Sequence, residues 1–266
     1  MLYQSQWGDA RLRMKNVLCI SGHDPTGGAG IQADIEACAA QGVHALTVIS
    51  ALTVQDTHNV RRVSPVAPML MAQQIEALLE DCRVDAIKIG LLGDAQQIPY
   101  LLQAIAQAKV PVVLDPILRA GGGANLTALE LQAAMEETLF PQVTLLTPNA
   151  AEARRFAPRA PTLDGCGAAL LSRGCANVLI TGGDESTSSV INTWYAPHAA
   201  PKHYEHARIP GSFHGAGCTL ASAIAARLAC GDAMSAALET AQAYAQQSLA
   251  RAKAIGHGRK IPGRWL

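Results

Sequence analysis

The residues best suited to handle a charged group lie in the run Ile209-Pro210-Gly211-Ser212-Phe213-His214-Gly215-Ala216-Gly217-Cys218-Thr219. An Ala-rich stretch follows at once, with Leu220, Ile224 and Leu228 four apart and so on one helical face. Gly231 stands where a C-cap would end that helix. Gly215 and Gly217 therefore fall on the turn that enters it, where a missing Cβ lets a ligand approach the backbone. The first amides of a helix have no internal partner and carry the positive end of its dipole, which together make an anion site. In that field the Cys218 thiol is expected below its free pKa of about 8.5. A tight loop-to-helix turn with a buried cysteine would use the same residues.

Other segments offer chemistry at element ends. Gly22-His23-Asp24-Pro25-Thr26-Gly27-Gly28-Ala29-Gly30 follows a short apolar strand, Asn16–Ser21, and precedes a helix over about 29–41 with Ile31, Ile35 and Cys38 on one face. This is the context of phosphate loops, yet it matches neither GxGxxG nor GxxxxGK[ST], and a flexible turn is the plain alternative. Val110-Pro111-Val112-Val113-Leu114 reads as a buried parallel strand and ends at Asp115-Pro116. Open α/β sheets place ligand chemistry at such strand ends, although an aspartate there can also merely begin a turn. Thr147-Pro148-Asn149-Ala150-Ala151-Glu152 opens a helix with Asn149 as N-cap. Glu152 then sits in the first turn, where the dipole alone would favour an acid.

The elements that position these residues alternate. Strands are expected at 43–52, 84–89 (with Lys88 inside), 143–146 and 177–181, with Thr53–Thr57 leaving the second strand of the chain. Helices are expected at 69–82, 95–108, 126–140, 163–173 and 232–252. Ser189–Tyr195 and His203–Arg208 read as an antiparallel pair, and Gly182-Gly183-Asp184 as a turn. Strand–helix alternation of this kind argues for a mostly parallel sheet covered on both faces.

Composition sets the outer limits. The 266 residues are 49% hydrophobic but only 4% aromatic, so Ala, Val, Leu and Ile must fill the core. Net charge is zero without blocks of like charge, so neither nucleic acid nor a membrane surface is expected as a partner. Seven scattered cysteines without CxxC or Cys/His ligand spacing fit reduced thiols in a cytoplasmic protein. Residues 1–15 are expected to form a flexible N-terminal extension.

The sequence resembles the hydroxymethylpyrimidine and phosphomethylpyrimidine kinases of thiamine biosynthesis, which have the ribokinase-like fold. The resemblance runs from about Asn16 to Ala252 and rests on five segments in order: Ser21–Asp34, Ser50–Thr57, Val113–Pro116, Thr147–Glu152 and His214–Thr219. It implies one domain over 16–266, a three-layer α/β/α sandwich with a mostly parallel central sheet. It also implies ATP and Mg²⁺ as cofactors and a homodimer.

By the same resemblance, Gly215, Ala216 and Gly217 hold the phosphoryl group in flight and Cys218 takes the proton of the acceptor hydroxymethyl group. Asp115 and Glu152 sit near Mg²⁺, in part through water. Gln55 reads the pyrimidine edge with its amide. Asp34, Gly22, Asp24 and Gly28 line the same pocket, and Asn149, Thr181 and Gly183 border the nucleotide. Read without the resemblance, Gln55 could equally be a surface loop residue. Two positions depart from the family pattern: Thr181 replaces a lysine before Gly182-Gly183, and Leu91 replaces a methionine. A pyridoxal or pyridoxine kinase, and a pyrimidine-binding sensor without turnover, are the alternative readings; the missing lysine favours the latter.

Overall fold

The computed structural model describes residues 14–118 and 128–265. The expected N-terminal extension, apart from its last two residues, lies outside the described residues, as do the first two residues of the helix expected from 126. Strand β1 (Asn16–His23) is the axis of the molecule. Its side chains alternate between the two faces of the sheet: Leu18 and Ile20 enter one hydrophobic cluster, Val17 and Cys19 the other. Both faces are therefore covered, as the continuous apolar strand runs require.

After β1 the chain forms helix α1 (Gly30–Ala40) and strand β2 (His44–Gln55), which pairs parallel to β1. Strand β4 (Ala86–Ile89) lies on the other side of β1, followed outward by β5 (Val112–Leu114), β6 (Leu145–Leu146) and β7 (Val178–Ile180), all parallel. The described residues form a nine-stranded sheet in the order β3-β2-β1-β4-β5-β6-β7-β8-β9. Its antiparallel ends are β3 (Val60–Pro65) and the pair β8 (Ser189–Tyr195) and β9 (Lys202–Ala207). Helices α2 (Pro68–Asp81), α3 (Ile98–Ala108), α4 (Leu129–Ala134), α5 (Ala150–Phe156) and α6 (Leu163–Ser172) contribute to one face. Helices α1, α7 (Ala216–Ala229) and α8 (Met234–Ala250) cover the other. This is the expected three-layer α/β/α sandwich of the ribokinase-like class.

Three details differ from the sequence reading. Residues 53–55 do not leave β2 but extend it, and the chain turns back as β3, so Gln55 ends a strand instead of lying in a loop. Ile35 is exposed; the inward side of α1 carries Ile31, Asp34 and Cys38. The helix expected to reach residue 140 continues past α4 as a π turn at Met135–Leu139 and a 3₁₀ turn at Phe140–Gln142, where Pro141 cannot donate to an α-helical ladder.

Candidate active site

A cavity of about 610 Å³ opens over the C-terminal ends of the parallel strands. Much of its wall comes from strand ends: Gly22 near the end of β1 and Asp24 just after it, Gln55 on β2, Asp115 after β5, Asn149 after β6, and Thr181 with Gly183 after β7. Gly215, Ala216, Gly217 and Cys218 close it at the start of α7. Residues far apart in sequence thus converge where an open α/β sheet collects its ligand groups.

The two glycines of that turn serve different needs. Gly215 is the N-cap of α7 with φ of 87°, a left-handed conformation that a side chain disfavours. A Cβ there would overlap the Gly28 carbonyl oxygen and stand 2.9 Å from the Arg264 guanidinium. Gly217 lies inside the first turn of α7, one step further into the helix than the motif alone implies. Its absent Cβ would face open space, with only the Asp115 carboxylate oxygens nearby, at 3.9 Å.

Cys218 follows on the same turn and is buried. The Asp115 carboxylate, 103 residues earlier in the chain, acts on its thiol through its charge. Burial pushes the thiol up to about 12, and Asp115 adds to the rise. The expected depression by the helix dipole is therefore overturned. Desolvation and a neighbouring carboxylate outweigh a partial charge that acts only over the first turn. Lys88 pulls the other way from below.

Asp115 is almost fully buried, and burial raises its carboxyl despite Lys88. Its Oδ2 has no hydrogen-bond partner among the described residues. Glu152 is pushed up to about 8, first by burial and then by Asp115. Its oxygens accept from the Asn149 N–H at 3.0 Å and the Leu118 N–H at 3.2 Å. Asn149 Oδ1 accepts in return from the Glu152 N–H at 2.8 Å, which completes the capping box of α5. A third carboxylate, Asp184, accepts from the Ala150 and Ala151 N–H groups at 3.3 and 2.9 Å and raises Glu152 further. A carboxyl raised by two neighbouring carboxylates, one of which has an orphaned oxygen, fits a cation among the three. No group of three or more such side chains among the described residues is placed to hold a metal directly. A site completed by water and phosphate oxygens, as Mg²⁺ prefers, suits this donor set.

Across the cavity, Asp24 is occupied by its own loop. Burial pushes its carboxyl up, but bonds from His214 (2.7 Å) and from the Thr26 N–H and O–H (both 2.8 Å) bring it down to about 2. The Ala29 N–H donates to it as well, at 2.8 Å. Asp24 thereby ties the glycine-rich loop to the His214 turn. The Gln55 side-chain amide makes no hydrogen bond among the described residues and is left available to a ligand.

Asp34 and Gly28 are not on the wall. Asp34 faces inward from α1, where Lys88 Nζ reaches it at 2.7 Å and Ser222 Oγ donates at 2.6 Å. Burial disfavours the Lys88 ammonium, yet Asp34, Cys218 and Asp115 hold its pKa above the ordinary value. The pair acts on the Cys218 thiol through its charges. Gly28 turns its carbonyl to the fully buried Arg264, which also donates to Thr219 Oγ1 at 2.8 Å and Glu36 at 3.0 Å.

Sequence reasoning misses three arginines: Arg264, Arg208 and Arg259. Arg208 lines the cavity and donates to the carbonyls of Gly183, Glu185 and Thr187 at 2.6–2.9 Å. Arg259 lines it from the segment after α8. Nothing local marks them, since an arginine in a polar loop is ordinarily solvated.

Comparison with known proteins identifies the family and the fold. A family model described as phosphomethylpyrimidine kinase matches residues 24–262. The hydroxymethylpyrimidine/phosphomethylpyrimidine kinase of Escherichia coli K12 is 34% identical over 255 residues, covering 91% of this chain and 94% of that protein. The thiamine biosynthesis bifunctional protein ThiED of Geobacter sulfurreducens is 33% identical over 248 residues, and the chain spans 51% of its length. Among solved structures, the phosphomethylpyrimidine kinase of Clostridium difficile 630 superposes with a TM-score of 0.77 at 28% identity, over 88% of this chain and 99% of that one. The ADP complex of Bacillus subtilis pyridoxal kinase gives a TM-score of 0.86 at 26% identity, over 95% and 98%.

Proposed function

The chain belongs to the phosphomethylpyrimidine kinase family, and we propose that it phosphorylates 4-amino-5-hydroxymethyl-2-methylpyrimidine and its monophosphate with ATP in thiamine biosynthesis. It is a phosphotransferase. The observation that carries the substrate assignment is the single cavity in which the uncommitted Gln55 amide and the Gly215–Cys218 turn face Asp115 and Glu152.

In this reading Gln55 offers a donor and an acceptor to the aminopyrimidine edge, and the Gly215–Gly217 amides take the charge of the transferring phosphoryl group. Asp115 and Glu152 would hold Mg²⁺, which supplies charge neutralisation on the triphosphate. Thr181, Gly183 and Asn149 border the nucleotide, and Asp34 acts from below through Lys88. A thiol held near 12 is neutral at pH 7. Cys218 therefore receives the hydroxymethyl proton only as its own proton leaves, and the neighbouring Asp115 carboxylate, whose charge acts on the thiol, is the acceptor we assign to it. Among the described residues no helix is long and apolar enough to cross a membrane. A cytoplasmic homodimer is the setting we expect.

The test is coupled ATP turnover with the free pyrimidine, its monophosphate and pyridoxal, in wild type and Cys218→Ala. Both pyrimidines should turn over with kcat/KM at least tenfold above that of pyridoxal. A monophosphate, with a second pKa near ~6, is largely a dianion and needs no base. Cys218→Ala should therefore depress the alcohol reaction by about 10²–10⁴ and the monophosphate reaction far less. Preference for pyridoxal would replace this reading by the second one, which the pyridoxal kinase superposition supports. Tight pyrimidine binding without turnover would make the protein a sensor.

A further inference from the structure

We infer that Arg259 binds the phosphate of the phosphorylated acceptor and so sets the preference for the monophosphate over the free pyrimidine. The inference rests on the substrate reading above. Of the lysines and arginines, only Arg208 and Arg259 line the cavity among the described residues. Arg208 spends its Nε and both terminal nitrogens on the carbonyls of residues 183–187. The Arg259 Nε, in contrast, is shielded from solvent and has no partner among the described residues, where Nη2 makes only a 3.5 Å contact with the His58 carbonyl. A buried guanidinium donor left unmade is costly, and a phosphate oxygen answers it with the geometry an arginine fork prefers.

Placement selects the acceptor phosphate over the nucleotide. The Arg259 N–H donates to the Thr57 carbonyl at 2.9 Å, and the Gly258 N–H donates to Thr57 Oγ1 at 3.0 Å. Its neighbour Lys260 bonds Ser212 and His214 through the backbone at 3.0 and 2.9 Å. The guanidinium thus hangs between the end of the β2–β3 hairpin, which carries Gln55, and the turn that enters α7. It also lies within the field of Asp24. Asp24 is itself satisfied by Thr26, Ala29 and His214, so it does not consume the arginine's donors. The pinned backbone pre-organises the side chain, which keeps the ordering cost of binding low. The free pyrimidine brings no charge to this place. Its monophosphate brings close to two negative charges into a cavity already lined by Asp24, Asp115, Glu152 and Asp184.

The experiment is calorimetric binding of the free pyrimidine, its monophosphate and ADP, without Mg²⁺, to wild type, Arg259→Gln and Arg259→Lys. Wild type should prefer the monophosphate. Arg259→Gln should weaken the monophosphate by about 10- to 100-fold relative to the free pyrimidine. Arg259→Lys, which keeps the charge without the fork, should recover part of that ratio. The inference is overturned by an unchanged ratio in Arg259→Gln, or by a loss confined to ADP. Should Arg259→Gln prove unfolded in a thermal melt, a wild-type ratio in Arg259→Lys together with no salt dependence of the wild-type preference overturns it as well. If wild type binds neither pyrimidine, the substrate reading itself falls, an outcome distinct from an unchanged ratio.

Discussion

Alanine at Gly215 and at Gly217 should have opposite consequences, although the two positions are one residue apart in the same motif. Gly215→Ala forces a left-handed residue, at about 1–2 kcal/mol, and drives a methyl group into the Gly28 carbonyl oxygen. The contact between the glycine-rich loop and the α7 turn must then open, which also disturbs the bond from Arg264 to Gly28. A chain of this size loses roughly 2–4 °C of Tm per kcal/mol, so a drop of at least about 2 °C is expected before the clash is counted. Gly217→Ala meets no such obstacle. It replaces a glycine in a helix by the best helix former, worth up to about 1 kcal/mol, so Tm should hold or rise slightly. Its methyl group nevertheless projects toward Asp115, with 3.9 Å to both carboxylate oxygens, into the space that the proposed reaction gives to the transferring phosphoryl group. A displacement of about 1 Å at a reacting centre can cost on the order of 10²-fold in rate. Thermal melts and coupled turnover on the purified variants separate the two effects. A Gly217→Ala protein with wild-type turnover would refute the assignment of this turn to the phosphoryl group. A Gly215→Ala protein with wild-type Tm would refute the packing argument.

Two further outcomes follow from the electrostatics. Glu152 titrates near 8 in the fold against about 4.3 unfolded. The folded state therefore binds the extra proton, and stability should decline as pH rises from about 4.5 to about 8, by no more than roughly 1.4 kcal/mol per pH unit. Melts without divalent cation should show this slope and Glu152→Gln should flatten it, while Mg²⁺ should stabilise more at pH 8 than at pH 6; equal Mg²⁺ stabilisation at both would place the cation elsewhere. Thr181→Lys restores a cation beside Gly183, on the cavity wall, and should lower the KM for ATP several-fold. An unchanged KM would mean that position 181 does not face the phosphates.

Much of the frame is legible in the sequence because it is encoded locally. Period-two and period-3.6 patterns mark most strands and helices, and the Asn149–Glu152 capping box forms within a single turn. The Gly215–Gly217 turn and Asp115 at a strand end are visible for the same reason: their meaning depends on neighbours a few residues away. What the sequence alone determines is thus the order of elements and the identity of the groups that can do chemistry. Only the tertiary structure decides the state and company of those groups. Cys218 reads as a thiol activated by a helix dipole, yet it is shut in with Asp115, 103 residues earlier in the chain, and is pushed up to about 12. Asp34 reads as a pocket residue, but Lys88 and Ser222, 54 and 188 residues away, hold it beneath the floor. Arg264 gives no local signal at all, and its bonds to Gly27 and Gly28 span 237 and 236 residues. Desolvation and long-range pairing are properties of the packed whole, and no window of the chain contains both partners.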